Sequence, residues 1–224
     1  MPLRFSTTDR VAFAGVKVLV YGPAGVGKTC LAATAPAPFI ISAESGLLSL
    51  RKVSVPYVEV TNVQELTEAY NWCVGSHEAK QFQTFCIDSI SEIAEVVLSN
   101  AKKQVKDPRQ AYGELIEKMM LTIRAFRDIQ DRHVYMSAKM EPTKDELTGI
   151  VRYGPSMPGS KLGNQLPYLF DEVFRLFVNK TPQNQEYRAL QTRPDLQFEA
   201  KDRSGSLDQL EPPDLNHIFA KIRG

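Results

Sequence analysis

The chain contains the stretch KVLVYGPAGVGKT at residues 17–29, a β-rich run that leads directly into a glycine-rich turn. Residues 22–29 satisfy the pattern G-x-x-x-x-G-K-[ST], in which successive backbone N–H groups turn inward around phosphate oxygens. The pattern has this meaning when a strand precedes the turn and a helix follows it, and both are predicted here. The sequence therefore predicts a phosphate-binding loop whose helix begins near Lys28.

The residue types of the loop suggest what each would bind. Lys28 would bridge the outer phosphates of a nucleotide, and the Thr29 hydroxyl would bind Mg²⁺. The alternative is a glycine-rich turn with a solvated lysine. We expect ATP and Mg²⁺ as ligands, with nucleotide contacts from Gly22, Pro23, Ala24, Gly25, Val26, Gly27, Lys28, Thr29 and Cys30.

Strand and helix patterns alternate after the loop. This alternation is typical of a mainly parallel sheet flanked by helices, and two late apolar runs predict an antiparallel hairpin at one edge. Residues 139–164 resemble a long loop or hairpin. The predicted strands are 17–21, 38–43, 56–60, 85–88, 133–138, 173–178 and 187–192, and the predicted helices after the first are 62–76, 90–105, 111–131 and 214–222.

The composition fits a soluble globular domain. The 224 residues are 43% hydrophobic and 24% charged, and the net charge of +1 argues against a globally basic nucleic-acid binder. Three cysteines without a CxxC pair fit a reducing compartment. Neither a secretion signal nor an apolar run of about 18 residues is present, so we expect a cytoplasmic protein without membrane contact. No linker separates two halves, and one domain over 1–224 is expected, with 1–14 as an N-terminal arm.

A carboxylate is needed to hold Mg²⁺ through water beside such a loop. Asp88 ends the buried run 85–88 and is followed by Ser89. The alternative role for Asp88 is to cap the helix 90–105, and both roles are compatible. The motifs of GTPases are missing, because Ser91 stands where D-x-x-G needs glycine and the pair Asn179-Lys180 lacks the following aspartate.

Three further segments resemble the RecA family of ATPases. FIISAESGL places Glu44 after the strand that follows the loop helix, where the family has a glutamate that activates the attacking water. CIDSISEI resembles the acidic strand of the family with its following serine. VYMSAKM places Lys139 near the sensor position, where the family often has Gln or His. Glu44 could also be an exposed residue after a strand.

The resemblance covers residues 15–203 and is strongest to small phage-encoded RecA-like proteins, on the stretches GPSMPGSKLGNQLPYLFDEVFRL and FEAKDRSG. It implies a RecA-like core that hydrolyses ATP, binds single-stranded DNA as a homo-oligomeric ring or filament, and promotes annealing or strand exchange in a bacterial host. It also makes a cognate single-strand binding protein a plausible partner.

The resemblance implies two contacts between subunits. Lys201 and Arg203 share one face of a strand and stand where the family carries a paired basic finger that reaches the neighbour's nucleotide. The alternative is a solvated face. Residues 5–8, FSTT, weakly resemble a Phe-x-x-Ala hook, with Thr8 in place of the alanine.

Two segments are candidate DNA contacts. Residues 102–113 have the character of a basic loop with four cations against one acid, a net of +3, and an aromatic ring that would stack on a base. Residues 140–161 are nearly neutral. Ordinary charged surface is the alternative for both. The candidate residues are Lys102, Lys103, Lys106, Arg109, Tyr112, Arg152 and Lys161.

Two other functions remain open. The protein could be a nucleotide-gated DNA-binding scaffold with negligible turnover, or a motor or loader of the hexameric helicase type. ATPase assays with and without single-stranded DNA distinguish the first from a DNA-dependent enzyme, and an unwinding assay tests the second.

Overall fold

The strand before the glycine-rich turn lies in the middle of a mixed sheet. The computed structural model describes Thr7 and residues 15–44, 46–144 and 149–224. In these ranges the sheet has the order β10-β8-β7-β1-β5-β4-β2-β3, with β6 paired to β5 and β9 to β7. The strands are β1 (Lys17–Tyr21), β2 (Pro38–Ser42), β3 (Tyr57–Glu59), β4 (Thr84–Asp88), β5 (His133–Lys144), β6 (Val151–Ser156), β7 (Glu172–Lys180), β8 (Glu186–Gln191), β9 (Lys201–Asp202) and β10 (Leu210–Glu211).

The middle of the sheet is parallel. β1 pairs in parallel with β5 and β7, β4 with β5 and β2, and β2 with β3. The carboxyl ends of these strands therefore meet at one edge, where Tyr21 pairs with Ala138 and Ser42 with Asp88. β8 runs antiparallel to β7 and forms the C-terminal hairpin. The predicted fold class, a mainly parallel sheet with helices and a C-terminal antiparallel hairpin, is confirmed.

Helices cover both faces of the sheet, and alternate strand residues enter two separate cores. Leu19 and Tyr21 of β1 pack with α2 to α5, whereas Val18 and Val20 pack with α1 and α6. The two buried faces explain why the strands are apolar without alternation. The helices are α1 (Lys28–Ala32), α2 (Val63–Gly75), α3 (Ile90–Gln104), α4 (Pro108–Arg127), α5 (Ser160–Leu169) and α6 (Leu215–Arg223), with 3-10 turns at Leu47–Leu50 and Glu78–Gln81.

Side-chain caps set where the helices begin. Asn62 accepts the N–H of Glu65 and starts α2. Asp107 caps α4 with Pro108 as its first residue, so α4 begins three residues earlier than predicted and ends four residues earlier. The segment 139–164 forms the hairpin β5–β6 and the start of α5, a helix that the sequence interpretation missed.

Two predictions concern the ends and the surroundings of the chain. The N-terminal arm 1–14 lies outside the described residues except for Thr7, so the hook at 5–8 stays a prediction. Within the described ranges, no helix combines the length and apolar character that a membrane span requires.

Candidate functional site

The turn after β1 has the backbone geometry that its glycines predict. Gly25 and Gly27 have φ values of 74° and 108°, in the left-handed region that favours glycine. A Cβ on Gly22 would lie 2.5 Å from the carbonyl oxygen of Leu176 in β7. The loop therefore packs directly against β7 while its later residues face a cavity.

Lys28 lies across the turn that it follows. Its Nζ donates to the carbonyl oxygens of Gly22, at 2.9 Å, and of Pro23, at 3.0 Å. Burial lowers the pKa of Lys28, and the negative charges of Asp88 and Glu44 oppose that shift. The ammonium group is thus beside the loop backbone, where the motif requires a cation for phosphates.

The hydroxyl of Thr29 and the carboxylate of Asp88 meet across the cavity floor. Thr29 Oγ1 donates to Asp88 Oδ2 at 2.6 Å, and Ser137 Oγ donates to the other oxygen, Oδ1. Asp88 is 3% exposed. Hydroxyl and carboxylate oxygens are ligands that Mg²⁺ accepts, so the residues present fit the predicted ion. The N-cap of α3 is Ser89 rather than Asp88, so the capping role considered for Asp88 is wrong.

Glu44 lies beyond β2, opposite the start of α3. Ser89, joined to Asp88 by a cis peptide bond, donates from its Oγ to Glu44 Oε1. The hydroxyl of Ser42 donates to the backbone carbonyl of Glu44. The candidate general base is therefore held on the same strand edge as the candidate metal ligand.

These residues enclose one cavity of about 550 Å³, a size typical of small-molecule sites. Most of the predicted loop residues line it together with Glu44 and Asp88, whereas Val26 is 3% exposed and packs into the core. The lining residues are Ala24, Gly25, Gly27, Lys28, Thr29, Cys30, Leu31, Thr34, Glu44, Gly46, Ser49, Asp88, Leu176, Arg188 and Pro213.

The sequence interpretation missed Arg188, which lines the cavity, and two buried residues that bond its lining residues. Ser137 bonds Asp88, the Tyr135 hydroxyl donates to the carbonyl oxygen of Lys28 at 2.9 Å, and Arg188 of β8 donates to Val26. A polar residue near the end of the predicted strand 133–138 was a usable signal for Ser137. No sequence pattern pointed to Arg188, because its contact with the phosphate loop depends on how the C-terminal hairpin packs.

In the described ranges, Lys139 is outside the set of residues that line the cavity. Its Nζ donates to Glu92 of α3 at 2.7 Å, and that carboxylate raises its pKa. Its backbone N–H donates to the Ser91 hydroxyl, which in turn donates to the carbonyl oxygen of Ser156 in β6. The observed contacts of Lys139 are thus between the hairpin and the first turn of α3, and its catalytic role stays a prediction.

The candidate finger residues contact groups that do not line the cavity of their own subunit. Lys201 pairs with Val173 in the β7–β9 ladder, and Val173 pairs with Leu19 in the middle of β1. Lys201 Nζ donates to the carbonyl oxygens of Pro167 and Phe170 at the end of α5, and Arg203 pairs with Asp171 at 2.9 Å. The finger role of these two residues stays a prediction.

The basic segment 102–113 is a helical corner instead of a loop. α3 ends at Gln104 and α4 begins at Pro108, so only 105–107 lie outside helices. All four cations are exposed, and Lys102 lies 5.6 Å from the ring centroid of Tyr112. We call this feature the α3–α4 corner, formed by Lys102, Lys103, Lys106, Arg109 and Tyr112.

The second candidate DNA segment lies beside the corner. Arg152 is exposed on β6 and Lys161 is exposed in the first turn of α5. A Cβ on Gly159 would lie 3.3 Å from the ring of Tyr112, so the start of α5 touches the corner. The structure thus brings Lys161 near the other cations, while Arg152 lies on the neighbouring hairpin.

Fold and cavity together define a P-loop nucleotide-binding protein, in which β5 lies between the loop strand β1 and the acidic strand β4. A profile of AAA domains, the AAA_24 family, matches residues 14–204. The chain belongs to this family and is a P-loop ATPase. No curated protein matches the sequence.

Three solved structures match the chain at low identity. A KaiC-like protein from Pyrococcus horikoshii has 14% identity and a TM-score of 0.45, covering 80% of each chain. The flagellar accessory protein FlaH from Methanocaldococcus jannaschii has 9% identity and a TM-score of 0.47, covering 88% of this chain and 84% of FlaH. The RadB recombinase has 16% identity and a TM-score of 0.44, covering 82% and 85%.

Proposed function

We propose that the protein is a RecA-like recombination ATPase of phage or prophage origin. It binds single-stranded DNA as a homo-oligomer, hydrolyses ATP in response, and promotes annealing or strand exchange. One observation carries the DNA-dependent part of this proposal, namely the hydrogen-bonded path that joins the β5–β6 hairpin to the candidate general base Glu44.

The path runs through the first turn of α3. Ser89 bonds the carboxylate of Glu44, and two residues later Ser91 bonds both strands of the hairpin, through Lys139 N–H and the carbonyl oxygen of Ser156. A second connection comes from Tyr21, just before the loop, whose hydroxyl lies 2.6 Å from the carbonyl oxygen of Glu199 and 3.2 Å from that of Tyr153 in the hairpin. Movement of the hairpin on DNA would therefore act on both the loop and Glu44.

The α3–α4 corner supplies the electrostatic part of the DNA contact. Its four cations are exposed, and none has an ion pair with a residue in the described ranges. Such cations neutralise DNA phosphates, and the counterions of those phosphates are released. An aromatic ring among them can stack on a base, which contributes about 1–3 kcal/mol to binding. Tyr112 is 38% exposed and meets that requirement.

The chemistry follows from the cavity. Lys28 binds the outer phosphate oxygens, and Thr29 with Asp88 would hold Mg²⁺, which when bound neutralises developing negative charge on the phosphates. Glu44 accepts a proton from water as the water oxygen bonds to the γ-phosphorus and the bond to the ADP oxygen breaks. Ser89 donates a hydrogen bond to the carboxylate of Glu44. During hydrolysis, either this hydrogen bond breaks or the carboxylate accepts the Ser89 hydroxyl and the water proton together.

Oligomerisation is the part of the proposal that involves a neighbour. The side chains of Lys201 and Arg203 bond the end of α5 and Asp171 in their own subunit, and a finger role places them against the nucleotide of an adjacent subunit. Arg203 is 59% exposed and would have to leave Asp171. Subunits assembled around DNA would then each supply Lys201 and Arg203 to the nucleotide site of a neighbour.

The test is ATP turnover with no DNA, with single-stranded DNA and with duplex DNA, with Lys28→Ala measured in parallel. We expect single-stranded DNA to stimulate turnover at least tenfold and Lys28→Ala to abolish it. Turnover that DNA leaves unchanged contradicts the DNA-dependent enzyme. DNA binding with ATP but without turnover identifies the scaffold, and processive unwinding of duplex identifies the motor. Turnover retained by Lys28→Ala rejects the site itself.

A further inference from the structure

Arg188 places a second cation in the nucleotide cavity without a carboxylate beside it. It lies on β8 and lines the same cavity as Lys28 and Asp88. Its Nε donates to the carbonyl oxygen of Val26 at 3.1 Å. Its two terminal nitrogens form no hydrogen bond or ion pair with any residue in the ranges that the structure describes. Arg188 is exposed where it lines the cavity, and a guanidinium there with four N–H donors free of protein partners is suited to an anionic ligand.

The packing of the C-terminal hairpin puts Arg188 at this place. Arg188 pairs with Val178 of β7, and β7 is the strand against which Gly22 packs. A Cβ on Gly27 would lie 3.7 Å from Nε of Arg188. Because Gly27 has no side chain, the guanidinium lies directly against the loop backbone, next to the N–H groups that bind phosphates.

We propose that Arg188 binds the phosphates of the nucleotide within its own subunit. The planar guanidinium keeps one donor on the Val26 carbonyl and presents the others to phosphate oxygens, for which its geometry is suited. This role differs from that of Lys201 and Arg203, which depends on a neighbour. The proposal rests on the nucleotide site and is independent of DNA binding.

A purely structural role for Arg188 makes different predictions. If the residue only holds the loop through Val26, a neutral side chain with an N–H donor should replace it. If it binds phosphates, its positive charge is required. Arg188→Gln keeps a donor and loses the charge, whereas Arg188→Lys keeps the charge. Lys180→Ala is the matched control, since Lys180 is an exposed cation on the same hairpin outside the cavity.

The experiment measures dissociation constants for ATP and for inorganic triphosphate, each with Mg²⁺, by titration calorimetry. We expect Arg188→Gln to weaken both ligands by about 10–100-fold, the range of a charge-assisted hydrogen bond. Arg188→Lys should recover most of the affinity, and Lys180→Ala should stay within twofold of the unsubstituted protein.

Three results would overturn the proposal. These are wild-type affinity in Arg188→Gln, a loss for ATP that is absent for triphosphate, and an equal loss in Arg188→Gln and Arg188→Lys. A failure of the nucleotide site itself looks different, because the unsubstituted protein would then bind neither ligand or Lys28→Ala would bind both unchanged. Melting temperatures of all variants are recorded, and those of the two Arg188 variants should agree with that of Lys180→Ala.

Discussion

The nucleotide cavity and the α3–α4 corner both present cations to a phosphate ligand, but by different physical means. In the cavity, Lys28 and Arg188 are held by carbonyl groups of the loop, and Asp88 is bonded on both of its oxygens. In the corner, four cations project into solvent from the ends of two helices. The cavity selects its ligand by geometry, whereas attraction at the corner is screened within about 8 Å at physiological salt.

Glu44→Gln should produce the largest difference between the two regions. The amide cannot accept the proton of the attacking water, so kcat should fall by about 10²–10⁴-fold, the usual contribution of a general base. Affinity for ATP should change less than threefold, and DNA affinity should be unaffected. Steady-state kinetics and nucleotide titration measure these values. A fall of less than tenfold in kcat would remove Glu44 as the base.

Charge reversal of Lys102, Lys103 and Lys106 to glutamate should act on the corner alone. We expect single-stranded DNA binding to weaken by more than tenfold, and the slope of log K against log salt to flatten by about 0.7 for each phosphate that the corner no longer neutralises. Reversal of Lys52, Lys80 and Lys180, which are also exposed, is the control of equal charge. An unchanged slope with unchanged ATP affinity would exclude the corner as the DNA surface.

Acid should weaken the packing of α6 against the sheet. The ring of His133 stacks on Phe219 of α6, 4.1 Å between centroids, and burial with the charges of Arg223 and Lys17 lowers its pKa to about 3. The folded state therefore keeps His133 neutral, while the unfolded chain binds a proton below about pH 6.5. The free energy of unfolding should fall as pH drops from about 6.5 towards 3, by up to about 1.4 kcal/mol per pH unit.

The measurement for His133 is urea unfolding between pH 4 and 8. His133→Gln should remove this part of the pH dependence, and His77→Gln, an exposed histidine on another element, should leave it intact. The N–H of Leu215 in α6 donates to Thr34, which lines the cavity. ATP affinity should therefore fall when acid loosens α6, while the DNA affinity of the corner should not change. The prediction is refuted if the free energy of unfolding depends on pH in the same way in all three proteins.

Ser89→Ala should have the smallest effect on stability and a selective effect on catalysis. Loss of this helix cap should cost about 1 kcal/mol, the same as Asn62→Ala at the cap of α2. Only Ser89→Ala removes the hydrogen bond to Glu44, so only this variant should change kcat. Ser89→Thr should restore kcat. If Asn62→Ala changes kcat equally, the connection to Glu44 has no catalytic role.

The phosphate loop and its neighbours were predictable because each depends on a local signal and on one rule of topology. Glycine spacing locates the loop, and runs of apolar residues locate β2 and β4. Parallel strands bring their carboxyl ends to one edge, so Glu44 and Asp88 had to lie near Lys28. The corner illustrates a partial success. Its charge was evident, but the Asp107–Pro108 start signal of α4 was not recognised, and a turn of three residues was taken for a loop.

The amino-acid sequence by itself determined the class of fold, the nucleotide loop and the family, because these depend on spacing along the chain. Tertiary structure alone decided which distant side chains meet. Arg188 reaches Val26 across 162 positions, Ser89 reaches Glu44 across 45, and Ser91 reaches Ser156 across 65. Such pairs depend on strand order and on the packing of the hairpins, which no local pattern encodes. The residues that connect the cavity to the rest of the molecule were therefore visible only in the folded chain.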